Sequence, residues 1–411
     1  MKPSLLKWIA GVLLLLPAAT PIWAKPGPEV HWTVTWAAAP DSPGPALPPQ
    51  TLRQIIRTST GGSSVRVRLS NLFGSGPLTI GPVHVALQAN GAAIRPGSDR
   101  ALTFGGRAGV TIARGGSVLS DAVKMKVGSL QNLSISMYLP APNGPSTSHG
   151  AAMQTAYIVQ GSDVTASIDF AGNTSDDTRY FLTDVEVASQ SASSAIVVVG
   201  DSITDGVGST DDRDRRWPDA LAARLQMTPG LEAIAVVNAG IAGNRILNDG
   251  AAPFVGPRAL ARYERDALSK PGVRWILLFE GINDIAASDM LAAPGEQVTA
   301  AQLIDGMKLI IARAHEKKIK IWGATLLPFA GTKALAYTPA GEAKRQALNA
   351  WIRGSGAFDA VVDLDQVMRD PANPERLLPA FDSGDHLHPN DAGHQAMAAA
   401  IDPRLFARRH R

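Results

Sequence analysis

Cysteine is absent from all 411 residues of the chain. This absence excludes disulfide bonds, thiol nucleophiles and metal sites built on thiolate ligands. Charged residues are also sparse, at 18% of the chain, and their signs nearly cancel, with 39 basic and 36 acidic side chains. Two of the lysines lie in residues 1–24, which hold no acid, so the remainder carries 37 basic side chains against 36 acidic ones. Such a balance gives no electrostatic basis for binding nucleic acid.

Long apolar runs are missing as well. After residue 24 no segment has the roughly 20 consecutive apolar residues of a membrane-spanning helix. Residues 1–24 combine Lys2 and Lys7 with a short apolar stretch that stops at Pro17 and a small-residue site ending at Ala24. This pattern is typical of a cleavable signal peptide. We therefore expect a secreted or periplasmic protein without an integral membrane segment, with an uncleaved anchor as the alternative; the lack of cysteine favours a bacterial cell envelope.

The first part of the chain reads as an all-β domain, which we bound at residues 28–188. Residues 31–36, 65–69 and 133–138 alternate apolar and polar side chains with the period of a strand, and 109–113 do so less regularly. Glycine pairs punctuate these runs, for example at 61–62 and 105–106. Short strands at such spacing predict a β-sandwich or jelly-roll domain, with residues 140–150 as a loop inside it.

The pattern changes near residue 190. The continuous apolar run at 196–199 is typical of a strand buried in a parallel sheet. Strand-like runs at 234–237, 275–279, 319–326 and 360–364 then alternate with helical stretches at 217–225, 256–268, 300–317 and 341–353. This alternation predicts a doubly wound α/β domain over residues 194–405, with reactive groups at the carboxyl ends of its strands.

Four short segments lie where that rule places chemistry: residues 200–202, 238–244 and 281–284, which each follow a strand, and 385–389 before the last helix. Taken singly, each has an ordinary structural explanation, such as a helix cap at Ser202 or a turn at Gly243. Their appearance together and in order is what points to a catalytic site. No Gly-x-Ser-x-Gly sequence occurs, so the arrangement is not that of the α/β-hydrolases.

These segments resemble the conserved blocks of the SGNH, or GDSL-type, serine ester hydrolases. The blocks read Gly-Asp-Ser-Ile-Thr-Asp-Gly at 200–206, Gly243 within the second, Gly-Ile-Asn-Asp at 281–284 and Asp-His-Leu-His-Pro at 385–389. Ile203 stands where the family name has leucine. The resemblance covers residues 194–403 and implies a flavodoxin-like sheet, while the preceding β domain is similar in architecture to those of some carbohydrate esterases.

The resemblance implies a catalytic triad of Ser202, His388 and Asp385. The chemistry agrees, because a serine hydroxyl needs a base to take its proton and a histidine is suited to that task. Asp385, three residues before His388, can hold the ring in the required tautomer.

The family's oxyanion hole maps onto the backbone amide of Ser202, the amide of Gly243 and the side chain of Asn283. Gly240 remains an alternative to Gly243, since the second block contains both glycines. No cofactor or metal is expected. Four neighbours have plainer interpretations: Asp201 and Asp284 as loop braces, and the histidines at 386 and 394 as loop and packing residues.

The sequence therefore predicts a secreted esterase that removes O-acetyl or other short acyl groups from a carbohydrate or small-molecule ester. A broad lipase or aryl esterase, a polysaccharide O-acyltransferase and a carbohydrate-binding pseudoenzyme stay open as alternatives. Trp32 and Trp36 could form a sugar-stacking platform, although core packing is the more common role of indoles in a β domain. Oligomeric state is left open.

Overall fold

The computed structural model describes residues 30–189, 193–250, 252–291 and 294–407. The predicted signal peptide at 1–24 lies outside the described residues. Within the described ranges, no helix combines the length and the apolar character needed to cross a bilayer.

The N-terminal region is built from short strands, as predicted. Their bounds are β1 His31–Ala37, β2 Ser42–Ala46, β3 Gln50–Arg57, β4 Gly62–Ser70, β5 Leu78–Ile80, β6 Val83–Asn90, β7 Ala93–Ile94, β8 Arg100–Leu102, β9 Val110–Ile112, β10 Ser117–Leu119, β11 Val123–Val127, β12 Asn132–Leu139, β13 Pro145–His149, β14 Ala156–Gln160, β15 Thr174–Asp176, β16 Arg179–Tyr180 and β17 Leu182–Ser189. One sheet has the order β1-β17-β4-β10 and another the order β15-β14-β3-β12-β6-β7, while β16-β13-β2 form a smaller third.

Alternating side chains of the two larger sheets meet in one apolar core. Val65 and Val67 of β4 pack there with Leu133 and Ile135 of β12, all without measurable solvent exposure. This is the period-two pattern expected of two sheets packed face to face. The predicted β-sandwich is thus confirmed, although residues 140–150 are not the loop we expected, because they contain strand β13.

The two tryptophans of β1 do not form a shared platform. A β-bulge between Val34 and Trp36 shifts the register with β17. Trp36 is consequently buried in the sandwich core, whereas Trp32 is half-buried under the guanidinium of Arg66, 4.0 Å from the ring centroid. A bulge inserts one residue and turns the side chains beyond it to the other face. The period-two sequence pattern could not reveal this.

The C-terminal region is an α/β domain. Its strands are β18 Ser194–Gly200, β19 Ile234–Gly240, β20 Val273–Phe279, β21 Lys320–Ala324, β22 Ala360–Val362, β23 Arg369–Asp370 and β24 Asn373–Leu377. Its α-helices are α1 Ser202–Asp205, α2 Trp217–Gln226, α3 Ala259–Tyr263, α4 Ile282–Met290, α5 Ala300–Glu316, α6 Pro339–Gly354, α7 Leu364–Met368 and α8 Asp391–Ala400. A π-helical turn, Glu264–Leu268, continues α3, and short 3₁₀ turns lie at Pro253–Val255, Pro294–Glu296, Pro379–Phe381 and Pro403–Phe406.

The main sheet of this domain is parallel, with the order β19-β18-β20-β21-β22. Relabelled from its first strand, this is the flavodoxin-like order, so the predicted fold class is confirmed. The helices pack in two groups, α2 with α7 and α8, and α3 to α6 together. The order reverses at β18, and the rule for open α/β sheets places a binding crevice at that point, beyond the carboxyl ends of β18, β19 and β20.

Candidate active site

Ser202 lies at the topological switch point of the parallel sheet. It follows Gly200, the last residue of β18, and begins the single-turn helix α1. The side chain of Asp201 caps that helix by accepting a hydrogen bond from the amide of Ile203 (3.0 Å). The cap satisfies a helix-end donor and fixes the turn that presents the Ser202 hydroxyl. Ser202 as a whole is 8% exposed.

His388 and Asp385 complete a chain of hydrogen bonds to this hydroxyl. His388 Nε2 lies 2.9 Å from Ser202 Oγ, and His388 Nδ1 lies 2.5 Å from Asp385 Oδ2. Since the carboxylate accepts, Nδ1 carries the proton and Nε2 is free to accept one from the serine. The arrangement therefore permits proton transfer from Ser202 Oγ to the ring.

Several donors keep the Asp385 carboxylate in place. Its Oδ1 accepts from the amides of Leu387 (2.9 Å) and His388 (2.8 Å). Burial by itself raises the pKa of Asp385, but these hydrogen bonds and the one from the His388 ring outweigh it and lower that pKa. An ionised Asp385 favours a protonated ring whenever His388 takes up the serine proton.

The residues that we expected as oxyanion donors follow three adjacent strands of the parallel sheet, β18, β19 and β20. Gly281, with φ of +128°, caps helix α4 and brings Asn283 into its first turn, where the side chain is buried. Asn283 Nδ2 donates to the carbonyl of Asn244 (3.0 Å), which ties it to the 241–244 loop after β19. An amide nitrogen has two hydrogens, so one remains for another acceptor.

Gly240 and Gly243 differ in whether their amides are available. The Gly240 amide donates to Asn238 Oδ1 (2.8 Å), so it is already engaged. The Gly243 amide has no protein acceptor among the residues that the structure describes. Gly243 also has φ of +75°, and a Cβ there would lie 2.3 Å from Val255 Cγ1. The unengaged amide makes Gly243 the better candidate to bind a ligand oxygen. The positive φ and the close contact with Val255 explain why this position holds glycine.

Arg262 connects the ends of strands β18 and β19 by hydrogen bonds, a role that the sequence did not suggest. Its guanidinium donates to the carbonyls of Gly200 (3.1 Å) and Ala239 (2.6 Å) and to Asn244 Oδ1 (2.9 Å). The side chain is fully buried and lies near the carboxylates of Asp266 (3.5 Å) and Glu280 (3.8 Å). It thereby joins the segments that carry Ser202 and the 241–244 loop. An arginine in an amphipathic helix has no sequence signal that distinguishes this role.

Three carboxyl groups next to Ser202 and Asn283 in the sequence or close to them, those of Asp201, Glu280 and Asp284, are buried. Glu280 is fully buried, and burial raises its pKa well above the ordinary value. Burial likewise raises the pKa of Asp201 to about 7 and that of Asp284 to about 6. Asp284 accepts from the amides of Ile246 (2.8 Å) and Leu247 (3.0 Å). Asp201 and Asp284 therefore brace their loops as predicted, whereas Glu280 lies 3.8 Å from the guanidinium of Arg262.

The histidines at 386 and 394, which lie near His388 in the sequence, occupy structural positions. His386 is 39% exposed and its Nδ1 pairs with Asp382 Oδ2 at 2.5 Å. His394 is fully buried, with Nε2 3.3 Å from the carbonyl of Val207. Burial lowers the pKa of His394 to about 4. Neither ring makes a hydrogen bond to Ser202 among the described residues, in line with the loop and packing roles expected of them.

Comparison with known proteins finds a family model that matches most of this domain. Residues 198–396, just under half of the chain, match the GDSL-like lipase/acylhydrolase family. Similar solved structures include a catalytic variant of Axe2, an acetylxylan esterase from Geobacillus stearothermophilus, at 22% identity and a TM-score of 0.39 over 51% of this chain and 93% of that one. A GDSL-like lipase from Bacteroides thetaiotaomicron shares 20% identity with a TM-score of 0.37, over 50% and 84% respectively. Comparison with curated proteins found no match.

Proposed function

We propose that this carboxylic ester hydrolase, whose residues 198–396 belong to the GDSL-like lipase/acylhydrolase family, works through an acyl-enzyme on Ser202. The observation that carries the proposal is the continuous chain from Ser202 Oγ through the His388 ring to Asp385 Oδ2. Each link has the donor and acceptor that nucleophilic catalysis by serine needs.

In the first half of the reaction, Ser202 Oγ attacks the ester carbonyl carbon and its proton passes to His388 Nε2. The carbonyl oxygen becomes an oxyanion, which accepts hydrogen bonds from the amides of Ser202 and Gly243 and from Asn283 Nδ2. We call residues 241–244 the oxyanion loop. Collapse of the intermediate breaks the bond to the alcohol oxygen, which leaves with the proton from His388.

In the second half, water attacks the acyl carbon while His388 accepts a water proton. The bond between the acyl carbon and Ser202 Oγ then breaks, and Oγ recovers its proton from the ring. The free acid is released and the enzyme returns to its starting state. The Asp385 carboxylate keeps Nδ1 protonated throughout and balances the transient charge on the ring.

We further propose that the enzyme is exported and removes O-acetyl or other short acyl groups from a carbohydrate. The signal-like sequence at residues 1–24 and the additional β domain support this substrate class. An acyl group on Ser202 can also pass to a sugar hydroxyl instead of water, so the same residues serve hydrolysis and transfer.

The test compares the wild type with Ser202→Ala on p-nitrophenyl esters from acetate to decanoate and on acetylated xylan. The matched control is Ser209→Ala, because Ser209 is also buried but its hydroxyl donates to the Gly206 carbonyl (2.7 Å). We expect turnover by the wild type and the control, strongest with acetate, and none above background by Ser202→Ala. Turnover that survives Ser202→Ala, or a wild type inert on every ester, contradicts the proposal. A strong preference for decanoate overturns the short-acyl assignment alone.

A further inference from the structure

A histidine of the N-terminal domain contacts helix α1 of the catalytic domain, the turn that begins with Ser202. His149 ends strand β13, and its side chain is only 7% exposed. Its Nδ1 lies 2.8 Å from the carbonyl oxygen of Ala39, and its Nε2 lies 3.1 Å from Asp205 Oδ1. A carbonyl and an ionised carboxylate can only accept, so both ring nitrogens must donate. The geometry thus describes a buried imidazolium.

Asp205 connects this ring to the oxyanion loop. It is the last residue of helix α1, the single turn that begins with Ser202. While Oδ1 faces His149, Oδ2 accepts a hydrogen bond from the amide of Ala242 (3.2 Å). Ala242 immediately precedes Gly243. One carboxylate therefore links the nucleophile helix, the oxyanion loop and the N-terminal domain.

A second contact connects the N-terminal domain to the same loop through Gly256. A Cβ on Gly256 would lie 3.2 Å from Ile241 Cδ1 and 3.4 Å from Asp41 Cα, so the Gly256 backbone packs closely against the Ile241 side chain and the Asp41 backbone. Asp41 also faces His149, with Oδ2 3.8 Å from Nδ1, and it accepts from the amide of Gly150 (2.7 Å). Gly256 thus lies between Ile241 of the oxyanion loop and Asp41 of the β domain.

We propose that His149 is a positioning residue, which acts through Asp205 to hold the oxyanion loop in the geometry that the transition state requires. The inference rests on the proposed function, because it assumes that the Gly243 amide is an oxyanion donor. It gives the N-terminal domain a part in the reaction itself, in addition to any part in substrate binding.

The electrostatics of the buried cluster agree with this role. Burial alone lowers the pKa of His149, but Asp205 and Asp41, together with the hydrogen bond to the Ala39 carbonyl, raise it to about 9. The ring therefore stays charged at neutral pH and holds the Asp205 carboxylate. A replacement that cannot donate a hydrogen bond leaves that carboxylate free to turn away from the Ala242 amide.

The kinetic signature is a loss of transition-state stabilisation without a loss of substrate binding. Removal of one oxyanion donor outright slows turnover by about 10²–10³, so a displaced donor should lower kcat by about 10–100-fold. The KM for p-nitrophenyl acetate should change less than about threefold, because the loop donor matters only once charge develops. A trifluoromethyl ketone, which forms a hemiketal oxyanion with a serine, should lose affinity by the same factor as kcat/KM.

The experiment uses the full mature chain with His149→Leu and His149→Gln, each normalised to titrated active sites. We expect the larger effect with leucine and partial retention with glutamine, whose amide can still donate to Asp205. His84→Gln is the matched control, because His84 likewise pairs with a carboxylate, Asp99 (2.8 Å), but that partner lies within the same β domain. The control should match the wild type in kcat and in inhibitor affinity.

Where the His149 variants do not fold, Asp205→Asn provides the same test. Its NH2 group replaces one carboxylate oxygen and cannot accept the hydrogen bond made there by the charged His149 ring or by the Ala242 amide, so kcat and inhibitor affinity should again fall together. If the variants melt at a lower temperature but keep wild-type kcat per titrated site and wild-type inhibitor affinity, His149 is only structural and the inference is overturned. Failure of the proposed function looks different, since it requires an inert wild type or an active Ser202→Ala.

Discussion

Deprotonation of His149 at alkaline pH should remove a measurable part of the free energy of unfolding. The two ionisable groups that face the ring, Asp205 and Asp41, raise the His149 pKa to about 9 in the folded protein despite the burial that opposes them, against an ordinary value of 6.5. A group whose pKa is raised by folding stabilises the protein fully below its unfolded pKa. That stabilisation is lost as the pH rises through the folded value.

The size of the effect follows from the two pKa values. Each pKa unit corresponds to about 1.36 kcal/mol, so the difference between 6.5 and about 9 amounts to about 3 kcal/mol well below pH 6.5. The same relation leaves about 1 kcal/mol at pH 8 and almost none at pH 10. Most of the change therefore falls between pH 6.5 and pH 9.

Urea unfolding of the wild type and His149→Gln, followed by tryptophan fluorescence at pH 6, 7, 8, 9 and 10, measures this effect. Groups common to both proteins cancel in the difference between their free energies of unfolding. We expect the wild-type advantage to shrink by about 2–3 kcal/mol between pH 6 and pH 10. An advantage that is constant or grows with pH refutes the reasoning, because the ring would then be neutral in the folded protein.

Two further substitutions test the catalytic geometry. Asn283→Ala removes a side-chain donor from the proposed oxyanion site, so kcat should fall by about 10²–10³ with little change in KM; an unchanged kcat in steady-state assays of folded protein contradicts the donor role. Gly208→Ala adds a side chain at a residue with φ of +90° and places its Cβ 2.4 Å from the Pro389 carbonyl oxygen. Because Pro389 follows His388, kcat and thermal stability should both decline. Gly76→Ala, which meets no atom within 4 Å, is its control and should behave as wild type in the same assays.

The parallel sheet could be predicted because burial on both faces demands uninterrupted apolar strands. Residues 196–199 were recognisable for that reason, and the structure extends them only to Ser194–Gly200. The same alternation of apolar strands and helical stretches predicted that Ser202, Asn283 and His388 lie near the ends of strands or helices. These features depend on short stretches of chain, whose patterns survive in the sequence.

Contacts between segments that are distant in the chain leave no comparable pattern in the sequence, so they could not be predicted. His149 and Asp205 are 56 residues apart and belong to different domains, so neither periodicity nor spacing connects them. Strand β13 was missed for a related reason: proline and serine at 145–148 favour turns locally, whereas pairing with β2 and β16 determines the extended conformation. Tertiary pairing outweighs local preference in both cases.

Strand β1 shows why the two domains are not independent neighbours. Val34 packs in the core of the α/β domain, while Trp36, just beyond the bulge, packs in the sandwich core. The open side of β19, the outer strand of the parallel sheet, receives a contact from the sandwich, because the Val236 amide donates to Ser59 Oγ (3.1 Å). Without the sandwich, the outer edge of β19 would face water. The division at residues 188 and 194 therefore separates two sequence regions that have their own apolar cores but share strand β1, and the link from His149 to Asp205 adds a second connection.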